Sequence, residues 1–462
     1  MDASSQFYAN HVRLLGKIWQ PWTWKDFAAT QQPAWDDAEL ASSVSQIGSL
    51  PPLVSADEIE QLRLKIGMAS SGHAFILQGG DCAERFQDCN AEHISGRLKI
   101  LMQMSLILGF GTKKPVIPIG RMAGQYAKPR SELIERTSDG QEINSFRGEN
   151  INSFRVVADG RRPDAKRLLQ AYHYSGATLN YIRTMMQNGF SDIRNLDSWK
   201  LESLKKDLSW ARYEKIVSGL RDFFQFLDSM GTTVQGGSKA HQDSFYVSHE
   251  ALVLPYEESM TRFVPSLGRW YNLGAHFLWI GDRTRQLDGA HLEYCRGIGN
   301  PIGVKLGMES DPYEICQVIQ KLNPHCEPGK VTLITRLGAA NVQRKLPVLI
   351  DAIKAQGLNV MWSVDPMHGN TERSLDGRKT RRLESIISEI ESSFEIHKRL
   401  GTEIGGIHLE MTHEPVTECL GGAESIEPIH LNQRYETWCD PRLNGSQVLE
   451  LAFRVAHMIR NS

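Results

Sequence analysis

Leu358-Asn359-Val360-Met361-Trp362-Ser363-Val364-Asp365-Pro366-Met367-His368-Gly369-Asn370-Thr371 holds the pattern that decides the fold. The apolar run from Leu358 to Val364 reads as a buried strand that stops at Asp365-Pro366. Proline has no N–H to give to a strand ladder, so the strand ends there. His368 follows at once, with Gly369 beside it, which suits a side chain aimed at something just past a strand end. A lone histidine in a polar turn is most often a bystander. The stretch gains its weight because the same pattern recurs along the chain.

Ala74 to Gln78 runs into Gly79-Gly80-Asp81-Cys82-Ala83-Glu84, and Pro115 to Ile119 runs into Gly120-Arg121. Phe277 to Ile280 precedes Gly281-Asp282-Arg283, Ile302 to Gly307 contains Lys305, and Val331 to Thr335 precedes Arg336. Ile404 to Thr412 contains Glu410, and Tyr435 to Cys439 precedes Asp440-Pro441. Helical periodicity fills most of the gaps, at Ile94 to Leu108, Asp311-Pro312 to Leu322, Gln343 to Ala355, Arg382 to Leu400 and Gln447 to Ile459. Proline in the first turn after an aspartate is a helix start signal, because its missing N–H would have no partner there. Eight short apolar segments alternating with helices read as an α/β fold, a (β/α)8 TIM barrel. A doubly wound open sheet competes, but no Gly-x-Gly-x-x-Gly turn follows the first strand to support it.

Residues 1–70 read as an N-terminal extension to a barrel domain spanning 71–462. Trp19, Trp22, Trp24 and Trp35 lie there among prolines and polar residues, which suits a segment draped over a surface or a neighbouring subunit. Ser55 to Met68 has helical spacing, with Ile59, Leu62 and Ile66 on one face. After the second strand comes an insertion at about 132–273, polar at first and helical from Lys166 to Gln187 and Tyr213 to Met230.

Over 462 residues the formal net charge is −2, which gives no global attraction to nucleic acid or to an anionic membrane. No apolar run is long enough to span a bilayer. Met1-Asp2-Ala3-Ser4-Ser5 lacks the basic and apolar regions of a signal peptide. The expectation is a cytoplasmic protein whose seven scattered cysteines stay reduced.

In such a barrel the reactive groups gather at the C-terminal ends of the strands. Cys82, His368, Glu410 and Asp440 fall there, after the first, sixth, seventh and eighth segments. Singly, each is an ordinary polar cap of a strand end. Jointly, a thiolate, an imidazole and two carboxylates suit a borderline divalent ion such as Mn²⁺, Co²⁺, Fe²⁺ or Zn²⁺. Arg121, Lys128, Arg130, Arg283, Lys305 and Arg336 form a second, basic set. A solvated rim would explain most of them. Lys305 and Arg336, however, sit in or beside apolar runs, where an unpaired charge is costly and an anion would relieve it.

These motifs resemble the class II (plant-type) 3-deoxy-D-arabino-heptulosonate-7-phosphate (DAHP) synthases, from about Gln31 to Phe453. The resemblance rests on Gln78 to Glu84, Ala123-Gly124-Gln125-Tyr126-Ala127-Lys128-Pro129-Arg130-Ser131, Asp288-Gly289-Ala290-His291, Asp365 to Thr371, Thr417-Glu418-Cys419 and Cys439 to Asn444. It implies a transferase that condenses phosphoenolpyruvate (PEP) with D-erythrose 4-phosphate and water, the entry step of the shikimate pathway. Its metal ligands map onto Cys82, His368, Glu410 and Asp440, with Mn²⁺ as first choice. Its PEP contacts map onto Arg121, Asp282, Arg283, Lys305 and Arg336. Lys128, Pro129, Arg130 and Ser131 map onto the erythrose 4-phosphate segment. Lys128, as proton donor, Arg283 and Lys305 are the implied catalytic residues. A homodimer or homotetramer and a chorismate mutase partner are also implied.

Two departures stand out. Asp282 replaces an expected glutamate, and Asn341 replaces an expected lysine in Leu337-Gly338-Ala339-Ala340-Asn341-Val342. They keep open a paralogue making aminoDAHP or serving secondary metabolism. A degenerate regulatory barrel is the remaining alternative, opposed by the retention of every named ligand and cation. Cys439, next to Asp440, is also placed to form a disulfide with Cys82 if the two come within bridging distance.

Overall fold

The structure, a computed structural model, describes residues 18–137, 140–190, 192, 196, 199, 208–229 and 245–461. Eight parallel strands close into a barrel: β1 Phe75–Gly80, β2 Val116–Arg121, β3 Tyr246–Glu250, β4 Phe277–Ile280, β5 Ile302–Leu306, β6 Val331–Thr335, β7 Met361–Val364 and β8 Ile404–Glu410. Neighbours follow chain order, and β8 pairs with β1 to close the ring. The (β/α)8 reading therefore holds.

Register explains why the mouth is polar and the floor apolar. Partners in adjacent parallel strands face the same side, and successive residues alternate. Ile76, Gln78 and Gly80 pair with Ile117, Ile119 and Arg121 on one side, and with Gly406, His408 and Glu410 on the other. Carried round the ring, Tyr246, Phe277, Ile334 and Met361 join Ile76 and Ile117 in one buried cluster inside the barrel. One or two steps further along each strand, the same column becomes Arg121, Glu250, Lys305 and Glu410. Arg336 and Asp365 extend it just past β6 and β7, their backbone N–H groups still bonded to Leu306 O and Thr335 O.

Two strand placements differ from the sequence expectation. β3 lies at Tyr246–Glu250, within the range expected as insertion, and Tyr435–Cys439 forms no strand. Tyr246-Val247-Ser248-His249-Glu250 is half polar because Ser248 and Glu250 point into the barrel, so it fails an apolar-run criterion. Tyr435 to Cys439 has the aromatic look of a strand, but β1 and β8 already pair and leave no edge. Asp440 therefore hangs on the long connection after β8. The chain between β2 and β3 does carry helices, at Lys166–Gln187 and Leu208–Ser229. Met230, the expected end of the second, lies outside the described residues, as do residues 1–17.

The helix Ala56–Ser70 closes the floor. Ser55 Oγ accepts the Glu58 N–H at 3.2 Å while Glu58 Oε2 accepts the Ser55 N–H at 2.8 Å, a reciprocal cap that starts the helix. Leu62, Ile66 and Ala69 then join the apolar interior cluster. The tryptophans before it drape over this chain's own barrel. Trp19 Nε1 donates to Glu293 O at 2.9 Å, and Trp24 Nε1 donates to Glu258 Oε2 at 2.8 Å.

Because Ile66 is 0% exposed at the floor, Ile66→Ala should cost about 2–5 kcal/mol of stability. Leu64→Ala on the same helix, where the side chain is 63% exposed, should stay within about 0.5 kcal/mol. Urea unfolding of both variants checks the assignment, and equal effects would contradict it.

Candidate active site

The loops beyond the strand ends surround a cavity of about 410 Å³. Arg121, Lys128, Arg283, Lys305, Arg336, His368 and Asp440 all line it, as does the run Pro129-Arg130-Ser131. Ligand atoms of Cys82, Glu410 and Asp440 lie within 4.8 Å of one another; His368 does not join that group of three, but its Nε2 is 3.1 Å from Glu410 Oε1. A thiol and two carboxylates this close, with an imidazole beside one of them, suit a borderline divalent cation.

Each donor is delivered by local backbone chemistry. Gly80 has φ +148, and a Cβ there would sit 2.7 Å from Arg121 O, so glycine lets the chain leave β1 and turn Cys82 over the mouth. Asp81 anchors that turn by accepting from Arg442 Nη1 at 2.6 Å and by pairing with Arg97. The Asp440 N–H donates to Cys82 Sγ at 3.1 Å and ties the two ligand loops together. Glu410 is the last residue of β8, and His368 follows the Asp365-Pro366 stop after β7.

Cations hold the carboxylates ionised. Arg381 Nη1 donates to Glu410 Oε2 at 2.8 Å, and Lys128 Nζ lies 3.1 Å from Glu410 Oε1 and 2.7 Å from Asp440 Oδ2. Lys379 Nζ lies 2.7 Å from Asp440 Oδ1. Burial alone pushes the Glu410 carboxyl up, but His368, Lys128 and Arg381 outweigh it and hold the group well below the usual carboxylate range. Asp440 is shifted the same way, with Lys128 and Arg381 overcoming burial. Metal binding needs deprotonated ligands, and both carboxylates meet that condition.

The basic set occupies the other strand ends. Arg121 is buried, its guanidinium carbon 5.0 Å from the centre of the Trp279 ring, and it donates to Asp81 O at 3.0 Å, Cys82 O at 3.3 Å and Glu410 Oε1 at 3.2 Å. Lys305 is buried and pairs with Asp365. Arg336 Nη1 donates to Asp282 Oδ2 at 3.0 Å, and Arg283, at the exposed rim, donates to Ser131 Oγ at 2.7 Å. Asp282 also accepts the Gly307 N–H at 3.1 Å, so its short side chain does engage an arginine of the cavity. Asn341 stands just before the helix Val342–Ala355, and its side chain makes no cap bond.

Sequence reasoning passed over several residues. The sequence marks Asp365 as a strand stop and as part of a family motif with no assigned role, yet its carboxylate bonds both Lys305 and His368. Glu250 was lost with β3; burial raises its pKa against the pull of Lys128, Lys305 and Arg121. Lys379 and Arg381 come from a hairpin, Thr371–Arg373 with Lys379–Arg381, that follows His368. No apolar run marks a hairpin that short. Charged residues at the last inward position of a strand were the available signal, and it would have found Asp365.

Burial pushes the Lys305 ammonium down to about 8, against the pull of Asp365. The lysine is thus charged below that value and neutral above it, while the arginines beside it do not titrate there. Binding of a small anion at Lys305 should weaken as pH rises through about 8, roughly tenfold one unit above it. Calorimetric titration between about pH 7 and 9.5 reads this, and a flat profile would refute it. Cys82 and Cys439 share one buried cluster with Phe146. Diamide, which takes up two protons and two electrons, should link them as a disulfide in metal-free protein. Quantitative alkylation of both after treatment would refute that.

Comparison with known proteins agrees in extent. A family model described as the Class-II DAHP synthetase family matches residues 19–456. A Streptomyces coelicolor protein named phospho-2-dehydro-3-deoxyheptonate aldolase is 44% identical over 440 residues, covering 95% of this chain and 97% of that protein. A Neurospora crassa protein of the same name is 43% identical over 459 residues, covering 96% and 94%. Phospho-2-dehydro-3-deoxyheptonate aldolase AroG of Mycolicibacterium smegmatis is 42% identical over 438 residues, covering 94% and 93%. With the family model spanning nearly the whole described barrel and its mouth, the chain belongs to the class II DAHP synthase family.

Proposed function

We propose that this chain is a metal-dependent DAHP synthase, joining PEP to D-erythrose 4-phosphate with water to give DAHP and phosphate at the first step of the shikimate pathway. The observation that carries this is the meeting, at one cavity of about 410 Å³, of the Cys82, Glu410 and Asp440 cluster, with His368 beside Glu410, and a set of arginines and lysines, in a chain of this family.

A divalent metal held by Cys82, His368, Glu410 and Asp440 would polarise the aldehyde. Arg121, Arg283, Lys305 and Arg336 hold the phosphate and carboxylate of PEP, with Asp282 fixing the angle of Arg336. Lys128, Pro129, Arg130 and Ser131 receive erythrose 4-phosphate along the rim. Holding both substrates turns a bimolecular encounter into a local one, with PEP C3 aimed at the aldehyde carbon. Burial works against the Lys128 charge, but Asp440, Cys82 and Glu410 outweigh it and keep the ammonium protonated. Lys128 therefore carries a proton for the aldehyde oxygen as the C–C bond forms. Water adds at C2, and phosphate leaves by C–O cleavage.

Mn²⁺ is the first choice of metal, and a homodimer or homotetramer with a chorismate mutase partner is the assembly we propose. Cytoplasmic placement is supported by seven free cysteines. No described helix is long and apolar enough to cross a membrane. Asp282 and Asn341 favour a second reading, a paralogue that makes aminoDAHP from an imino sugar phosphate.

Phosphate release from PEP and erythrose 4-phosphate should require Mn²⁺ and stop with chelator. His368→Ala should lower it by at least about 100-fold. Release only with the imino sugar phosphate would select the second reading, and no metal-dependent release from either would refute both.

A further inference from the structure

Asp365 is 0% exposed and does not line the cavity, yet it touches both halves of the site. Its Oδ2 accepts from His368 Nδ1 at 2.7 Å and from Lys305 Nζ. Its Oδ1 accepts the backbone N–H groups of Met367, at 3.0 Å, and His368, at 3.3 Å. Those last two bonds form a local turn that folds His368 back over its own aspartate. Every lone-pair direction of this carboxylate is therefore committed to a cationic side chain or to the backbone that carries the imidazole.

We propose that Asp365 is a positioning residue that couples the two subsites, one carboxylate oxygen holding the lysine of the anion side and the histidine of the cation side together. This rests on the functional reading above for the identity of the two ligands. An ionised carboxylate only accepts hydrogen bonds, so Nδ1 of His368 carries a proton to Asp365, and Nε2, 3.1 Å from Glu410 Oε1, is the nitrogen left for a cation. The Asp365 carboxylate also raises the basicity of that nitrogen.

The sharing of Oδ2 makes the coupling two-way. An anion docking on Lys305 takes part of the ammonium charge that Asp365 otherwise holds. The aspartate charge then falls more fully on the imidazole N–H, and Nε2 becomes a better donor to a cation. A cation on Nε2 in turn acidifies the Nδ1–H, strengthens its bond to Asp365 and frees Lys305 for the anion. Linkage requires the two effects to be equal. No such sharing is seen at Asp282, whose partners Arg336 and Arg285 both belong to the basic side of the mouth.

The test uses the full chain with Mn²⁺ as probe, its free concentration read by electron paramagnetic resonance, with and without PEP. In the wild type PEP should tighten Mn²⁺ binding. Asp365→Asn keeps the shape and an acceptor oxygen but loses the charge. It should weaken Mn²⁺ binding by about 10–100-fold and reduce the factor by which PEP tightens it. Unchanged Mn²⁺ affinity, or an equal tightening factor in both proteins, would overturn the proposal. Should the variant not fold, nitrogen-15 NMR of His368 in the wild type decides. A proton at Nδ1 is expected, and a ring protonated only at Nε2 would refute the arrangement. None of these readings needs turnover. Absent phosphate release with the Mn²⁺ result intact sinks the functional reading alone, and normal release with unaltered Mn²⁺ affinity sinks this one alone.

Discussion

The constraint on which the structure depends is charge burial at the barrel mouth. The inward column that is apolar at the floor ends in Arg121, Glu250, Lys305, Arg336, Asp365 and Glu410. A charge taken out of water costs several kcal/mol unless it is paired and hydrogen-bonded. The strand ends answer this by pairing opposite signs, with Arg121 on Glu410 and Lys305 on Asp365. Pairing of this kind fixes positions more than it adds stability, because well-packed apolar residues would serve the core as well. Stability comes instead from the floor, where the helix Ala56–Ser70 completes the apolar layer.

Legibility in the sequence followed the same division. Strands with two apolar faces stood out, and the helices behind them carried capping signals such as Asp311 before Pro312. β3 did not stand out because its inner face reaches the mouth within four residues of Tyr246. Cys82, His368 and Glu410 were legible because each stands at a strand end or just past a proline stop, whereas Asp440 was reached through a segment that forms no strand. Asp365 was hidden for a different reason. Nothing in a linear sequence says that its carboxylate meets Lys305, which is contributed by a strand two places round the barrel.

The loss of an expected eighth strand at Tyr435–Cys439 raises the question of what holds Asp440. Glu418 does. Its Oε1 accepts the N–H groups of Glu436, at 3.1 Å, and Thr437, at 2.8 Å, and its Oε2 accepts the Arg442 N–H at 2.8 Å. Arg442 also donates from Nη2 to Glu418 Oε1 at 2.8 Å and from Nη1 to Asp81 at 2.6 Å. One buried carboxylate thus grips the chain on both sides of Asp440, and one arginine links that grip to the residue before Cys82. A strand would fix its end by ladder bonds. This connection fixes its end by collecting backbone donors on a side chain, which frees the donor atom of Asp440 to face the cavity.

That arrangement gives Thr417-Glu418-Cys419 and Cys439 to Asn444 a shared physical meaning. They are separate in sequence, yet they are one device for placing a carboxylate beside a thiol. The same logic runs through Asp81, which carries no ligand atom but sits between Arg97 and Arg442 and sets the direction of Cys82. Apart from Glu410 on β8, the proposed ligating atoms come from loops, and buried ion pairs supply the rigidity that strands supply elsewhere. Substituting Arg442 would take a partner from Asp81 and Glu418 together, leaving Asp81 to Arg97 and Glu418 to the N–H groups of Glu436 and Thr437. Its effect on the two ligand loops would therefore not be the sum of two separate losses, because residues in one network do not act additively.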